Sequence, residues 1–91
     1  MPERTAVVAS KVGLHARPAA VFVKAAAEAP VPVTIRKSGG APVSAASILS
    51  IMTLGVSHGD QVILAADGAG ADAALDALVD LLETDLDASA R

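Results

Sequence analysis

The stretch VPVTIRKSGGAPV, residues 31–43, has the pattern of a β-hairpin. Apolar Val33 and Ile35 alternate with polar neighbours, which predicts a strand with one buried face and one exposed face. Ser38-Gly39-Gly40 then supplies a tight turn, and the chain returns as a second short strand over Ala41-Pro42-Val43. Because proline donates no backbone hydrogen bond, we expect this second strand at a sheet edge. Two consecutive strands joined in this way indicate an antiparallel sheet.

The sequence on either side of the hairpin adds three helices and two more strands. Apolar residues at helical spacing predict helices from Ala16 to about Glu28 and from about Ala71 to Leu86, and Ser47 to Leu54 is a shorter candidate. Short apolar runs predict strands at Thr5 to Ala9 and at Gln61 to Ala66. The second of these is apolar on both faces, so we expect it to be central. The element order predicts an α+β fold, a two-layer sandwich with helices on one face of the sheet.

Composition restricts the class of protein. The chain has 91 residues, which predicts one domain over residues 1–91. It has no cysteine, and its two histidines, His15 and His58, are too few ligands for a zinc site, so we expect no metal. The N-terminus lacks the apolar run of a signal peptide, and no segment approaches about 20 uninterrupted apolar residues. We therefore expect a cytoplasmic protein that does not insert into a membrane.

The charge distribution argues against a nucleic-acid-binding protein. Residues 1–59 carry a net charge of +4 and residues 60–91 a net charge of −7, but the cations are scattered along the chain. Binding to a duplex would require a continuous basic stripe.

The segment GLHARPAA, residues 13–20, indicates chemistry. His15 directly precedes the predicted start of the first helix, where unpaired N–H groups and the positive end of the helix dipole attract phosphate oxygens. The guanidinium of Arg17 can bind two of those oxygens. Neutral imidazole is a nucleophile, so the pattern favours phosphoryl transfer through His15. A helix cap or an exposed polar histidine would give the same local pattern, and these residues alone leave both interpretations open.

GLHARPAA, followed by Phe22 and Lys24, resembles the active-site signature of the HPr family. These proteins are the histidine-containing phosphocarriers of the bacterial phosphoenolpyruvate-dependent sugar phosphotransferase system. SILSIMTLG, residues 47–55, is similar to a second motif of the family, and the similarity covers essentially the whole chain. The resemblance implies an open-faced βαββαβα sandwich, in which three helices cover one face of a four-stranded antiparallel sheet.

The resemblance also implies the roles of the residues around His15. His15 would accept the phosphoryl group through Nδ1, Arg17 would assist its transfer, and the backbone amides of Ala16 and Arg17 would hold the phosphate. Enzyme I would be the donor and sugar-specific Enzyme II A components the acceptors. The carrier would need no cofactor and would pass the group on without being a turnover enzyme, with a monomer as the simplest state.

Two further features match the family and leave alternatives open. Ile48, Leu49 and Met52 match its apolar docking patch, with Lys24 beside it, although some of these side chains could instead face the core. Ser47 matches the position that an HPr kinase/phosphorylase modifies in some members, although an ordinary N-cap serine is the alternative. A regulatory protein acting through Ser47 and a carrier in a nitrogen-related branch are therefore the competing functions.

Overall fold

The computed structural model describes residues 2–9, 13–14 and 16–84. Its elements follow the predicted βαββαβα order. They are β1 (Glu3–Val7), α1 (Ala16–Ala27), β2 (Val33–Lys37), β3 (Val43–Ser44), α2 (Ile48–Leu54), β4 (Gln61–Ala66) and α3 (Ala71–Leu82). The last helix ends earlier than the predicted Leu86: it stops at Leu82, and Glu83 is its C-cap, with its N–H bonded to the carbonyls of Leu81 and Val79. Leu86 itself lies outside the described residues.

The four strands form one antiparallel sheet in the order β1-β4-β2-β3. Strand β4 pairs with β1 on one side and with β2 on the other, so the prediction of a central strand is confirmed. Strand β3 lies at an edge, also as predicted. It is shorter than expected, because only Val43 and Ser44 pair with β2. Pro42 has no N–H to donate, so the ladder begins after it.

Strand β1 begins and ends two residues earlier than its apolar residues suggested. Glu3 pairs opposite Ala65 and is part of the strand despite its charge. Val8 and Ala9 leave the ladder, and their N–H groups donate to the carbonyls of Asp60 and Leu82 at 3.0 and 2.9 Å. Pairing with β4 and contact with α3 therefore set the bounds of this strand, overriding local propensity.

The helices cover one face of the sheet and bury the core against it. Apart from Arg4 and Lys37, the side chains that face the helices from the strands are apolar, and each helix adds apolar side chains at helical spacing. Fully buried examples are Ala6, Ile35, Val62 and Leu64 from the sheet and Ala19, Phe22, Ile51, Leu75, Leu78 and Leu82 from the helices. Within the described part of the chain, no helix is long and apolar enough to cross a membrane.

Candidate functional site

The backbone that leads into position 15 is anchored in the core. Leu14 is buried and donates its N–H to the carbonyl oxygen of Val56 at 3.1 Å. Immediately after position 15, α1 begins at Ala16, as predicted, and its first turn buries Pro18. His15 itself lies outside the described residues, so its predicted role rests on the geometry of these neighbours.

Gly13 makes this anchoring possible. Its φ is +69°, and a Cβ atom built on it would lie 2.3 Å from the carbonyl oxygen of Val56. Glycine is the residue that adopts this conformation at low cost and leaves room for so close an approach. The first residue of the GLHARP signature therefore has a structural function, which is to seat the segment on Val56.

The first turn of α1 offers donors to an anion. Ala16 and Arg17 are its first two residues, where backbone N–H groups have no acceptor within the helix. Pro18 has no N–H, so these two amides are the donors of the described part of that turn. The helix dipole adds about half a positive charge at the same place. These are the amides that the sequence predicted to hold a phosphate.

Arg17 lies at the N-terminus of α1, where the positive end of the helix dipole disfavours a cation. Its side chain is exposed, and α1 has no acidic residue in its first turn. A positive side chain at a helix N-terminus opposes the dipole, at a cost of about 0.3–1 kcal/mol when exposed. A bound anion would turn this repulsion into attraction, because both positive charges would then face it.

Helix α2 presents an apolar surface next to α1. Ile48, Leu49 and Met52 are 42%, 76% and 43% exposed, whereas Ile51 is fully buried. The alternative that these three side chains face the core is therefore wrong, and Ile51 is the core residue of this helix. We call Ile48, Leu49 and Met52 the α2 patch. Helices α1 and α2 are in contact, so the patch lies beside the helix that carries Arg17.

The predicted docking cation lies on the same helix face as Arg17. Lys24 is exposed in the last turn of α1, seven residues after Arg17. Seven residues are close to two helical turns, so the two side chains share a face and lie about 10 Å apart along the axis.

Ser47 caps helix α2. Its backbone is extended, with φ −109° and ψ 115°, and its Oγ accepts a hydrogen bond from the N–H of Ser50 at 3.3 Å. At the other end Gly55 has φ +67° and donates its N–H to the carbonyl of Met52. The N-cap interpretation of Ser47 is therefore confirmed as a structural role.

The 56–60 loop is the part of the site that the sequence did not reveal. Val56 contacts Gly13 and Leu14, yet it is far from them along the chain. The one local signal was Gly59 followed by Asp60, a pair typical of turns, which says nothing about the turn's neighbours. Among the described residues, no three or more His, Asp or Glu lie close enough together to hold a metal ion.

Known proteins resemble this chain over nearly its full length. A family model described as the PTS HPr component phosphorylation site matches residues 2–84. The phosphocarrier protein HPr of Streptomyces coelicolor is 48% identical over 87 residues, which are 96% of this chain and 94% of that protein.

Solved structures agree with the fold. The crystal structure of HPr-C-His from Thermoanaerobacter tengcongensis matches with a TM-score of 0.88 at 44% identity, covering 96% of this chain and 97% of that one. The crystal structure of an HPr dimer from the same organism matches with a TM-score of 0.69 at 46% identity, covering 91% of this chain and 94% of that one.

Proposed function

Since the chain belongs to the HPr family, the phosphocarrier proteins of the phosphotransferase system, we propose that it carries the phosphoryl group on His15. The observation that supports this site most directly is the start of α1. There, Arg17 and the first-turn amides of α1 directly follow a backbone segment that Gly13 and Leu14 fix on Val56. An anion bound next to Ala16 would meet all of these donors.

The proposed transfer exchanges a phosphoryl group between two imidazoles. The Nδ1 lone pair of neutral His15 attacks the phosphorus of a phosphohistidine on Enzyme I. A new N–P bond forms as the donor's N–P bond breaks, and the electrons of the broken bond stay on the donor imidazole. Arg17 and the amides of Ala16 and Arg17 stabilise the charge on the phosphoryl oxygens. The same exchange in reverse delivers the group to an Enzyme II A component.

The α2 patch would dock these partners. Its three exposed apolar side chains form a surface that can be covered transiently, and Arg17 and Lys24 lie on the adjoining helix. Cations at the rim of such a surface accelerate association with an acidic partner and have less effect on the bound state.

Charge reversal tests this docking surface. We expect Lys24→Glu to lower the second-order rate of phosphorylation by Enzyme I severalfold and to weaken its dependence on salt. Arg36→Glu is the matched control, because it makes the same charge change on the outer face of the sheet, away from α2. Equal rates for the two variants would contradict docking beside Lys24.

Intact-mass measurement of the wild type and of histidine variants tests which residue accepts the phosphoryl group. After incubation with phosphoenolpyruvate, Mg²⁺ and Enzyme I, we expect the intact protein to gain one acid-labile phosphoryl group. His15→Ala should gain none, whereas His58→Ala should gain the group as the wild type does, because His58 is an exposed loop residue. A phosphorylated His15→Ala protein would contradict the proposed site.

Phosphorylation of Ser47 is a second candidate modification, beside that of His15. Its side chain already has a structural role as the cap of α2. A phosphate there would add negative charge beside Ile48 and Leu49 and hinder an acidic partner. Incubation with ATP and an HPr kinase/phosphorylase, followed by intact mass with a Ser47→Ala control, would test this regulatory role. An acid-stable phosphate on the wild type alone would support it.

We further propose that the carrier acts in the cytoplasm as a monomer. One transient docking surface beside the site needs no second copy of the chain. Light scattering during gel filtration should give a mass near 9.0 kDa. A mass twice as large would contradict the monomer.

A further inference from the structure

The 56–60 loop is bonded to the chain on both sides of the segment that leads into position 15. On one side Val8 donates its N–H to the carbonyl of Asp60 at 3.0 Å and accepts the N–H of Gly59 at 2.8 Å. On the other side Leu14 donates to the carbonyl of Val56 at 3.1 Å. The backbone that enters the proposed site is therefore placed by the shape of this loop.

Asp60 closes the loop on itself. Its Oδ2 accepts a hydrogen bond from the N–H of Ser57 at 2.9 Å, and its own N–H donates to the carbonyl of Ser57 at 3.0 Å. These two bonds fix the turn that directly follows Val56, whose side chain is fully buried. The N–H of Ser57, and then the attraction of Lys37, lower the pKa of Asp60, so the carboxylate is ionised at neutral pH.

Lys37 connects the closed loop to the sheet. Its Nζ lies 3.4 Å from Oδ2 of Asp60 and 3.4 Å from the carbonyl oxygen of Gly55, the C-cap of α2. Lys37 is the last residue of β2, so the loop is held by a strand that belongs to the core of the fold. Both side chains of the pair are partly exposed, and such pairs contribute little to global stability. Their effect is to set the position of the loop.

We propose that Asp60, supported by Lys37, is a positioning residue for phosphoryl transfer. It fixes the 56–60 loop, and the loop in turn fixes Val8, Gly13 and Leu14, on which the placement of His15 depends. The inference rests on the proposed function, because it takes His15 as the acceptor. Asp60 acts through the backbone and does not touch the phosphoryl group.

Single-turnover kinetics test the proposal. We expect Asp60→Ala to lower the maximal rate of phosphorylation by Enzyme I on the order of tenfold, because reacting atoms displaced by a fraction of an ångström transfer poorly. The concentration of Enzyme I that gives half the maximal rate should not change, because the α2 patch is untouched. Asp60→Asn keeps an acceptor for Ser57 and should lie between the wild type and Asp60→Ala.

Arg4→Met is the matched control. Arg4 also belongs to an exposed ion pair, with Asp72 and Asp76 at 3.0 Å each, but this pair ties β1 to α3 and not to the 56–60 loop. We expect its maximal rate and its half-saturating concentration to match the wild type. A rate loss in Arg4→Met as large as that in Asp60→Ala would overturn the proposal, because any lost ion pair would then have the same effect.

Amide hydrogen exchange measures the positioning without any partner protein. In Asp60→Ala the exchange of the Leu14 N–H should accelerate by a larger factor than that of the Leu64 N–H in β4, which reports only the change in global stability. A role in global stability alone would accelerate both amides equally. Wild-type exchange at Leu14 together with a wild-type rate would overturn the inference. If even the wild type accepts no phosphoryl group, the proposed function fails, and the exchange at Leu14 alone decides whether Asp60 positions the segment.

Discussion

Gly13 combines two constraints that a substitution can separate. Its backbone is left-handed, with φ +69°, and its Cα faces the carbonyl oxygen of Val56. Gly39 has a similar φ of +80° but no atom within 4 Å of the place where its Cβ would be. Both glycines therefore have a left-handed backbone, but only Gly13 of the two also lies close to the carbonyl oxygen of Val56.

Alanine at each of these positions should give different losses. We expect Gly39→Ala to lower the free energy of unfolding by about 1–2 kcal/mol, the cost of a left-handed residue with a Cβ. Gly13→Ala should cost more and should also slow phosphorylation, because the segment must move away from Val56. Urea unfolding and the Enzyme I assay measure the two effects. Equal losses of stability would show that the contact with Val56 carries no constraint.

The roles that can be predicted from the sequence are those that depend only on neighbouring residues in the chain. His15, Arg17 and Pro18 lie within four positions, so their types and spacing offer an anion site at a helix start as one of two interpretations, and the resemblance to the HPr family favours it. The contact between Gly13 and Val56 could not be predicted in this way, because it joins two segments that only the folded chain brings together. The role of Asp60 could not be predicted for the same reason, since its partner Lys37 lies at the end of β2, far from the 56–60 loop along the chain.

Helix α2 depends on its caps because it is short. It spans only Ile48–Leu54, and Ser47 satisfies the N–H of Ser50 at its start. We expect Ser47→Ala to lower the free energy of unfolding by about 1 kcal/mol, whereas Ser47→Asp should keep nearly all of it, because aspartate is also a good N-cap. Urea unfolding of both variants checks this. Equal losses in the two variants would mean that the cap is not the source of the effect.

Elements with a strong internal pattern were predicted well, except for the end of α3, which stops at Leu82 and not at Leu86. Strand β4 has the predicted bounds, and α1 begins at the predicted residue, because the five residues after Gln61 are all apolar and Pro18 fits only the first turn. Strand β1 was displaced because its partner β4, rather than its own apolar residues, sets its register. Local patterns contain no information about such pairing.

The whole molecule should lose stability in acid partly through Asp60. The pKa of this carboxyl is lowered from its ordinary value of 3.8, first by the N–H of Ser57 and also by Lys37. A lowered pKa means that the contribution is complete above the ordinary value and disappears as the pH falls through the lower folded value. Asp60→Asn should therefore lose less stability than the wild type when acidified from about pH 5 to about pH 2.

Urea unfolding at a series of pH values measures this difference. The two proteins differ at residue 60 alone, so the difference between the two curves isolates Asp60. Parallel curves over the acid range would contradict an interaction of the ionised carboxylate with Ser57 and Lys37.

The pairing of β1 with β4 has a consequence for the newly made protein. Strand β1 is synthesised before its partner β4. The hydrogen bonds of Val8 and Leu14 to the 56–60 loop can form only after that loop has left the ribosome. Contacts this distant in sequence form only after the intervening chain exists. In a nascent chain that ends before the 56–60 loop, we expect the segment that leads to His15 to have no fixed position, although the chain already contains the whole GLHARP signature. Incomplete chains would then accept no phosphoryl groups from Enzyme I, and only completed molecules would take part in phosphoryl transfer.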